Sequence, residues 1–340
     1  MDAAATRKLG RAGLRVTQLG FGAAPLAGTR KRVSEQEGYA TVTAAYEGGV
    51  RYFDTSPYYG YGKSELRLGS ALRDYRRDEY VISSKIGRWM TAKPDNLDIP
   101  SWRTGSAPFM FTFDYSYDGV QRSLEQTLLR LGTNRIDILY VHDVDFWTTR
   151  DRDLLEQRFR EVMTGAHRAL VGLRASGVIG AFGLGLNESD TAARFVREGD
   201  FDCLLLAGRY TLLEQGALSD LLPLCEQRKV DIVIGAPLNS GILATGPVQG
   251  ALYDYEPPPA EIAERARRLA AVCERHGVEL AAAALQFPLA HPAVASIIPG
   301  AANAAEQRKN LALFAQTIPA DLWAELRAEK LLDPVAPVPA

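Results

Sequence analysis

Short runs of apolar and β-branched residues alternate along the chain with stretches in which apolar residues recur every three to four positions. The runs fall at residues 17–21, 51–53, 80–84, 136–141, 179–184, 203–206, 230–234 and 295–298, and helical patterns follow them, as at 34–47, 117–131, 156–175 and 261–276. Eight such alternations predict parallel βαβ units closed into a (β/α)8 TIM barrel. In an open doubly wound sheet the first strand would lead into a GxGxxG turn. Here it leads into GFGAAPLAG, without that spacing or the acidic residue expected further on. The barrel is the predicted fold, as one domain over residues 1–340.

Ahead of the first barrel strand, RKLGRAGLRV reads as an N-terminal β-hairpin around a Gly turn, suited to plugging the barrel floor. A last helix at 320–330 runs into the Pro-rich LLDPVAPVPA, expected to be extended or loosely held. Three strand-to-helix connections are long: 86–116, 142–155 and 235–259. In a barrel these emerge at the C-terminal face, where active sites lie. Trp89, Trp102, Trp147, Phe109, Phe111 and Phe113 fall in the first two and together suit an apolar pocket wall.

Composition narrows the field. The chain is 46% hydrophobic and 24% charged, with a net charge of -2 and no long block of either sign. That balance gives no electrostatic ground for a nucleic-acid partner. No apolar run approaches the ~18 residues of a membrane span. The opening MDAAATRKLG lacks the apolar core of a secretory signal, so the cytoplasm is the expected location. Cys203, Cys225 and Cys273 lack metal-ligand spacing; they read as reduced core residues, and no metal site is expected.

The chemistry concentrates in RYFDTSPYYGYGKSELRLG, residues 51–69. A strand delivers Asp54 to the barrel rim, and Tyr59 follows five residues later on a loop marked by Pro and Gly. The next strand runs to Lys85 and the one after to His142. Each residue has an ordinary reading: Asp54 as a loop cap, Tyr59 as surface packing, Lys85 and His142 as rim side chains. Four ionisable groups at three successive strand ends point elsewhere, because unpaired buried charge is costly and barrel enzymes draw catalytic groups from strand ends. Hydride transfer to a carbonyl builds charge on an oxygen that must then be protonated. A tyrosine with an ordinary pKa of ~10 needs help for that task. A nearby ammonium is expected to lower its pKa, a carboxylate to hold the ammonium, and a histidine to orient the substrate oxygen.

FDTSPYYGYGKSELRLG, with Lys85 and His142, resembles the signature of the aldo-keto reductase superfamily. RLGTNRIDILYVHDVD, GLGLNE, PLNSGIL and IIPGAANAAEQRKNL extend the likeness over nearly the whole chain. The resemblance implies a catalytic tetrad of Asp54, Tyr59, Lys85 and His142 and a nicotinamide cofactor that carries the hydride. FDYSYDGVQRSLEQTLLRLG, VHDVD, LAGRYTLL and GAPLNSGIL resemble the branch of aldose 1-dehydrogenases acting on D-threo-aldoses or L-fucose, with pyridoxal 4-dehydrogenases close by.

The same resemblance assigns the cofactor residues. Asn187 takes the place of the family's Ser-Asn pair, one residue later than usual, and the usual Gln falls near Ala207, with Arg209 or Tyr210 as candidates to compensate. The ring that stacks on the nicotinamide aligns with Gly235. Leu238, Ser240, Gly241 and Leu243 line the cofactor, Gly241 and Leu243 offering backbone amides to the pyrophosphate. Asp54 also borders the cofactor, and Asn310 reaches the adenine. Where NADP-dependent relatives hold a 2'-phosphate, this chain has Gly300, Ala301 and Glu306. A carboxylate there repels a phosphate and favours NAD, although Arg308 or Lys309 turned inward would restore NADP. Tyr58, Trp89, His142 and Trp147 are expected to line the substrate pocket.

The expected activity is oxidation of the anomeric hydroxyl of a small aldose to a lactone with NAD. The alternatives are oxidation of pyridoxal, NADPH-dependent reduction of aldehydes or ketones and, outside enzymes, a cofactor-binding regulatory subunit. A small molecule is the expected partner, with neither nucleic acid nor membrane, and the sequence leaves the oligomeric state open.

Overall fold

The computed structural model describes residues 1–28, 31–94 and 105–339. The chain opens with a hairpin, β1 (Thr6–Leu9) against β2 (Leu14–Thr17). Then come β3 (Phe21–Gly22), β4 (Tyr52–Asp54), β5 (Val81–Ile86) and a second antiparallel ribbon, β6 (Arg88–Ala92) with β7 (Phe109–Phe113). The strands β8 (Ile138–His142), β9 (Ala181–Leu186), β10 (Cys203–Ala207), β11 (Asp231–Gly235) and β12 (Val294–Ile298) complete the series. One parallel sheet runs β12-β11-β10-β9-β8-β5-β4-β3. Parallel bridges Leu19 to Ile297 and Gly22 to Gly300 join its two edges, so the sheet closes into the (β/α)8 barrel.

The first barrel strand is shorter than the apolar run at 17–21 suggests, because Thr17 ends β2 and only Phe21–Gly22 pairs with β4. At the seam Gly20 donates its N–H to Ile297 O at 2.8 Å. A Cβ on Gly20 would stand 2.8 Å from Ile298 and 2.9 Å from Tyr52, so the backbone there lies directly against its neighbours.

Two layers of apolar side chains hold the barrel. Leu9 and Val16 of the hairpin close the interior from below, onto Tyr52, Ile138, Tyr140, Cys203 and Val233. The outer faces of the strands pack under the surrounding helices, including Val42, Leu68, Leu124, Leu170, Leu269 and Leu313. The helix Glu35–Glu47 begins at a reciprocal cap in which Ser34 and Glu37 bond each other's backbone amides.

Three expectations need correction. The connection at 86–116 is not all loop, because the alternating FMFTF pairs with Arg88–Ala92, register Arg88 to Phe113. The helical stretch at 156–175 starts earlier, at Arg152, and contains a π-helical turn, Val162–Ala166. Gly165 in that turn sits where a Cβ would come 2.7 Å from Tyr115 O, so the helix widens as it passes this loop. The C-terminal tail is docked rather than loose. Leu331, Leu332 and Ala336 are buried, and Gln215 and Arg265 both donate to Leu331 O.

Candidate active site

Strand alternation sorts the polar residues of β5. Ser83 and Lys85 point into the barrel mouth, while Ser84 points outward, donating to Glu65 Oε1 at 2.9 Å. Inside, Lys85 Nζ lies 2.9 and 2.7 Å from the two oxygens of Asp54 and 2.8 Å from Thr55 O. Ser83 Oγ donates to Asp54 Oδ1 at 2.7 Å. Burial pushes the Asp54 carboxyl above its ordinary range against the pull of Lys85.

Tyr59 stands on a tight loop after β4. Tyr59 donates its N–H to Ser56 O, and its carbonyl accepts from Ser64 N at the start of the helix Lys63–Leu72. Gly60 and Gly62 both take positive φ there, at 64° and 90°, and a Cβ on Gly60 would meet Ala27 at 2.9 Å. Lys85 Nζ is 4.9 Å from the centre of the Tyr59 ring, and among the described residues nothing hydrogen-bonds the Tyr59 hydroxyl. The ammonium is committed to Asp54. The expected lowering of the phenol pKa is therefore not found: burial, with Asp54 and Asp143 nearby, raises it well above its ordinary value.

His142 ends β8 with its ring edge-on to Tyr59, centroids 5.9 Å apart, and its carbonyl accepts from the Tyr115 hydroxyl at 2.7 Å. Burial, then Arg88 and Lys85, hold its imidazole well below its ordinary pKa, so it is neutral at pH 7. Arg88, on β6, escaped the sequence reading. Its buried guanidinium lies 3.1 Å from His142 Nδ1 and 2.9 Å from Asp143 Oδ2, beneath the rings of Tyr58 and Phe113. The acidic pair in VHDVD was the available signal. Asp143 takes φ +52°, and Asp145 is buried at a helix N-cap.

The expected cofactor residues divide. Asn187 stands at the rim, its side-chain amide 3.0 Å from Asp145 Oδ2 and 3.4 Å from Asp143 Oδ1. Arg209 makes a two-point pair with Asp254, at 3.0 and 2.8 Å, and lies over Trp147. Tyr210 does not share that position; it is buried between Phe287 and His291. Ala207 and Gly235 end β10 and β11 opposite one another. In the turn after β11, Leu238 is half-buried and Ser240 Oγ accepts from Tyr255 N at 3.2 Å. The amides of Gly241 and Leu243 both donate to Leu238 O, at 2.9 and 3.2 Å, and the Leu243 side chain is core. The expectation that those two amides are open donors is thus corrected.

Gly235 pairs with Ile298, so the turns after β11 and β12 are neighbours on the rim. Gly300 approaches Pro25 too closely for a side chain, and Ala301 is buried. Asn310 Nδ2 lies 3.4 Å from Gly300 O. Glu306 turns back on its own helix, its oxygens accepting from Ala302 N at 2.8 Å and Asn303 Nδ2 at 2.7 Å, with Lys31 Nζ at 3.6 Å. Arg308 is exposed, and Lys309 faces Glu279 at 3.4 Å.

Of the pocket residues, Tyr58 lies edge-on to His142, centroids 6.2 Å apart, and to Phe111 at 5.4 Å. Trp147 is the second residue of a short helix, Phe146–Thr149, whose first amides donate to Glu188. Trp89 is not brought into the group: it lies on the strand face opposite Arg88, against Arg122 at 5.2 Å. Trp102 lies outside the described residues. A cavity of about 470 Å³ sits away from Tyr59, between Thr245–Gly246 and Gly277–Ala281.

The model of the aldo/keto reductase family matches residues 18–330. The chain is 44% identical over 343 residues to a pyridoxal 4-dehydrogenase of Microbacterium luteolum, covering 98% of this chain and 99% of that one. It is 39% identical over 326 residues to a D-threo-aldose 1-dehydrogenase of a Pseudomonas species, covering 94% and 96%. Among solved structures, an aldo-keto reductase of Bacillus halodurans in its holo form superposes with a TM-score of 0.73 at 21% identity, covering 96% of each chain; that likeness speaks for the fold. The chain belongs to the aldo/keto reductase family. It is an oxidoreductase that uses a nicotinamide cofactor, and among the described residues no helix is long and apolar enough to cross a membrane.

Proposed function

We propose that the chain, as one catalytic unit, oxidises a cyclic hemiacetal to a lactone with NAD, a small aldose of the L-fucose or D-threo type being the first substrate to test. The observation that carries this reading is the Tyr59 hydroxyl, without a hydrogen-bond partner among the described residues, between the Lys85–Asp54 pair and a neutral His142. The residues fit a nicotinamide cofactor: a Cβ on Gly241 would meet nothing within 4 Å, so the rim turn beyond β11 has room beside it. Asp54, Asn187, Arg209, Leu238, Ser240, Gly300, Ala301, Glu306 and Asn310 would border it. When bound, it supplies the hydride acceptor.

His142 orients the substrate hydroxyl, and Tyr59 takes its proton as the anomeric hydrogen leaves as hydride. Asp54 fixes Lys85 beneath the phenol. Tyr58, Trp147 and His142 would line the substrate. NAD is favoured because the Glu306 carboxylate, held by Ala302 N and Asn303 Nδ2 just ahead of the helix Ala304–Ala315, would repel an added phosphate there.

A second reading keeps the same chemistry on pyridoxal, whose hemiacetal form presents an equivalent carbon; the 44% identity to a pyridoxal 4-dehydrogenase favours it. NADPH-dependent carbonyl reduction is a third, favoured by the raised Tyr59 phenol, which is set to give a proton. NADH or NADPH formation from L-fucose, D-arabinose, L-galactose and pyridoxal, with aldehyde reduction in parallel, separates these readings. Turnover of aldehydes alone would overturn hemiacetal oxidation.

A further inference from the structure

We infer that Arg88 is a positioning residue that locks His142 as its Nε2–H tautomer, and so fixes which ring nitrogen a substrate oxygen meets. The inference builds on the proposed site, but its spectroscopic test requires no turnover.

Arg88 reaches the site by a constrained route. Gly87, at φ +102°, turns the chain from β5 into β6, and a Cβ there would run into the Tyr115 ring. The Arg88 carbonyl accepts from Ser123 Oγ at 3.2 Å, and the guanidinium lies 4.3 Å from the centre of the Tyr58 ring and 4.5 Å from that of Phe113. With 3% of its side chain exposed, it has little freedom to move.

A guanidinium donates hydrogen bonds and does not accept them. At 3.1 Å from Arg88 Nη1, His142 Nδ1 must therefore present its lone pair, and the proton of a neutral ring falls on Nε2. The groups facing the ring are Ser56, Tyr58 and Tyr59 from the loop after β4, Lys85 from β5, Arg88 from β6, and Asp143 beside it. Lys85 is neutralised by Asp54, and Asp143 by Arg88 Nη2 at 2.9 Å. Asp143 Oδ1 lies 3.4 Å from His142 Nε2. Without Arg88, that carboxylate would lose its cation beside an imidazole whose Nδ1 keeps only the Ser56 hydroxyl, at 3.2 Å, and a second proton would settle on the ring.

The chain has four histidines, so nitrogen-15 histidine spectra are tractable, the His142 signals being those lost in His142→Asn. The wild-type protein should show His142 as Nε2–H, without titration between about pH 5 and 8. In Arg88→Met the His142 signals should titrate in that window, kcat should fall roughly 10²-fold with little change in KM, and kcat/KM should gain an acid limb. Arg88→Lys keeps a cation and one donor and should restore the wild-type spectrum. If Arg88→Met does not fold, Asp143→Asn serves: it keeps the Nδ1 contact and should leave the tautomer unchanged. An Nδ1–H tautomer or a titrating His142 in the wild type, an unaltered His142 in folded Arg88→Met, or a changed tautomer in Asp143→Asn would each overturn the inference. Absence of turnover on every hemiacetal, with the tautomer as expected, would instead remove the proposed function and leave the role of Arg88 standing.

Discussion

The Lys85 ammonium meets both carboxylate oxygens of Asp54, at 2.9 and 2.7 Å, with neither side chain reaching water. Removing one partner of a buried pair strands the other, which costs about 3–5 kcal/mol. Lys85→Met should therefore lower unfolding stability in urea by about that amount. Adding Asp54→Asn should recover part of the loss. Equal stability of the single and double variants would mean the pair is not the source.

Tyr59→Phe should reduce turnover by about 10²–10⁴-fold, the usual worth of a positioned proton-transfer group. Cofactor affinity, read from NADH fluorescence, should stay within a few-fold, because the hydroxyl is the only group removed. With the phenol held above its ordinary pKa, oxidation by the wild-type protein should quicken as pH rises above neutral. A flat alkaline profile would argue that another group takes the proton.

His142 has a folded pKa well below its ordinary value, as a buried imidazole flanked by Arg88 and Lys85 should. Below about pH 6.5 the unfolded chain takes up a proton that the folded chain refuses, so stability is full above that pH and falls as pH drops toward the folded pKa. His167 and His291, also lowered by burial, act in the same direction. Urea unfolding between about pH 5 and 8 should show this slope, and His142→Asn should lessen it. An unchanged slope in the variant would assign it to other groups.

Glu306→Arg should raise affinity for NADP relative to NAD. The substitution removes the carboxylate from the amide groups of Ala302 and Asn303 and supplies a cation near a 2'-phosphate. Competitive binding of the two cofactors measures the ratio, and no change would place the ribose elsewhere.

Leu332, buried in the docked tail, should cost about 2–5 kcal/mol when replaced by Ala, while Val335, 73% exposed, should tolerate Ser with little effect. Chemical denaturation of the two variants compares the sites directly.

Asp54, Lys85 and His142 could be found in the sequence because each is the last residue, or next to last, of a strand whose apolar run is plain. Arg88 could not. Its side chain enters the site only because Gly87 turns the chain and β6 pairs with β7, and pairing between residues so far apart leaves no local period. The buried Leu331 and Leu332 were hidden by the Pro-rich segment that follows them, although their apolar pair hinted at docking. Glu306 carried a missed signal of its own: in Asn303-x-x-Glu306 the Asn303 side chain caps Glu306 N, and the Glu306 carboxylate turns back to Ala302 N and the Asn303 side-chain amide. The amides of Gly241 and Leu243 depended on a run of left-handed residues, Asn239, Ser240 and Gly241, that spacing alone does not reveal.

Because Ser83 and Lys85 serve the barrel interior while Ser84 between them serves Glu65, β5 is keyed on both faces. A one-residue insertion within it would swing an ammonium into the helix layer and present a hydroxyl to Asp54 in its place. Length changes in the turn at 73–80 spare this alignment, since they fall before the first paired residue, Val81. The turn at 73–80 is therefore free to drift in length, whereas the six residues of β5 have a fixed count.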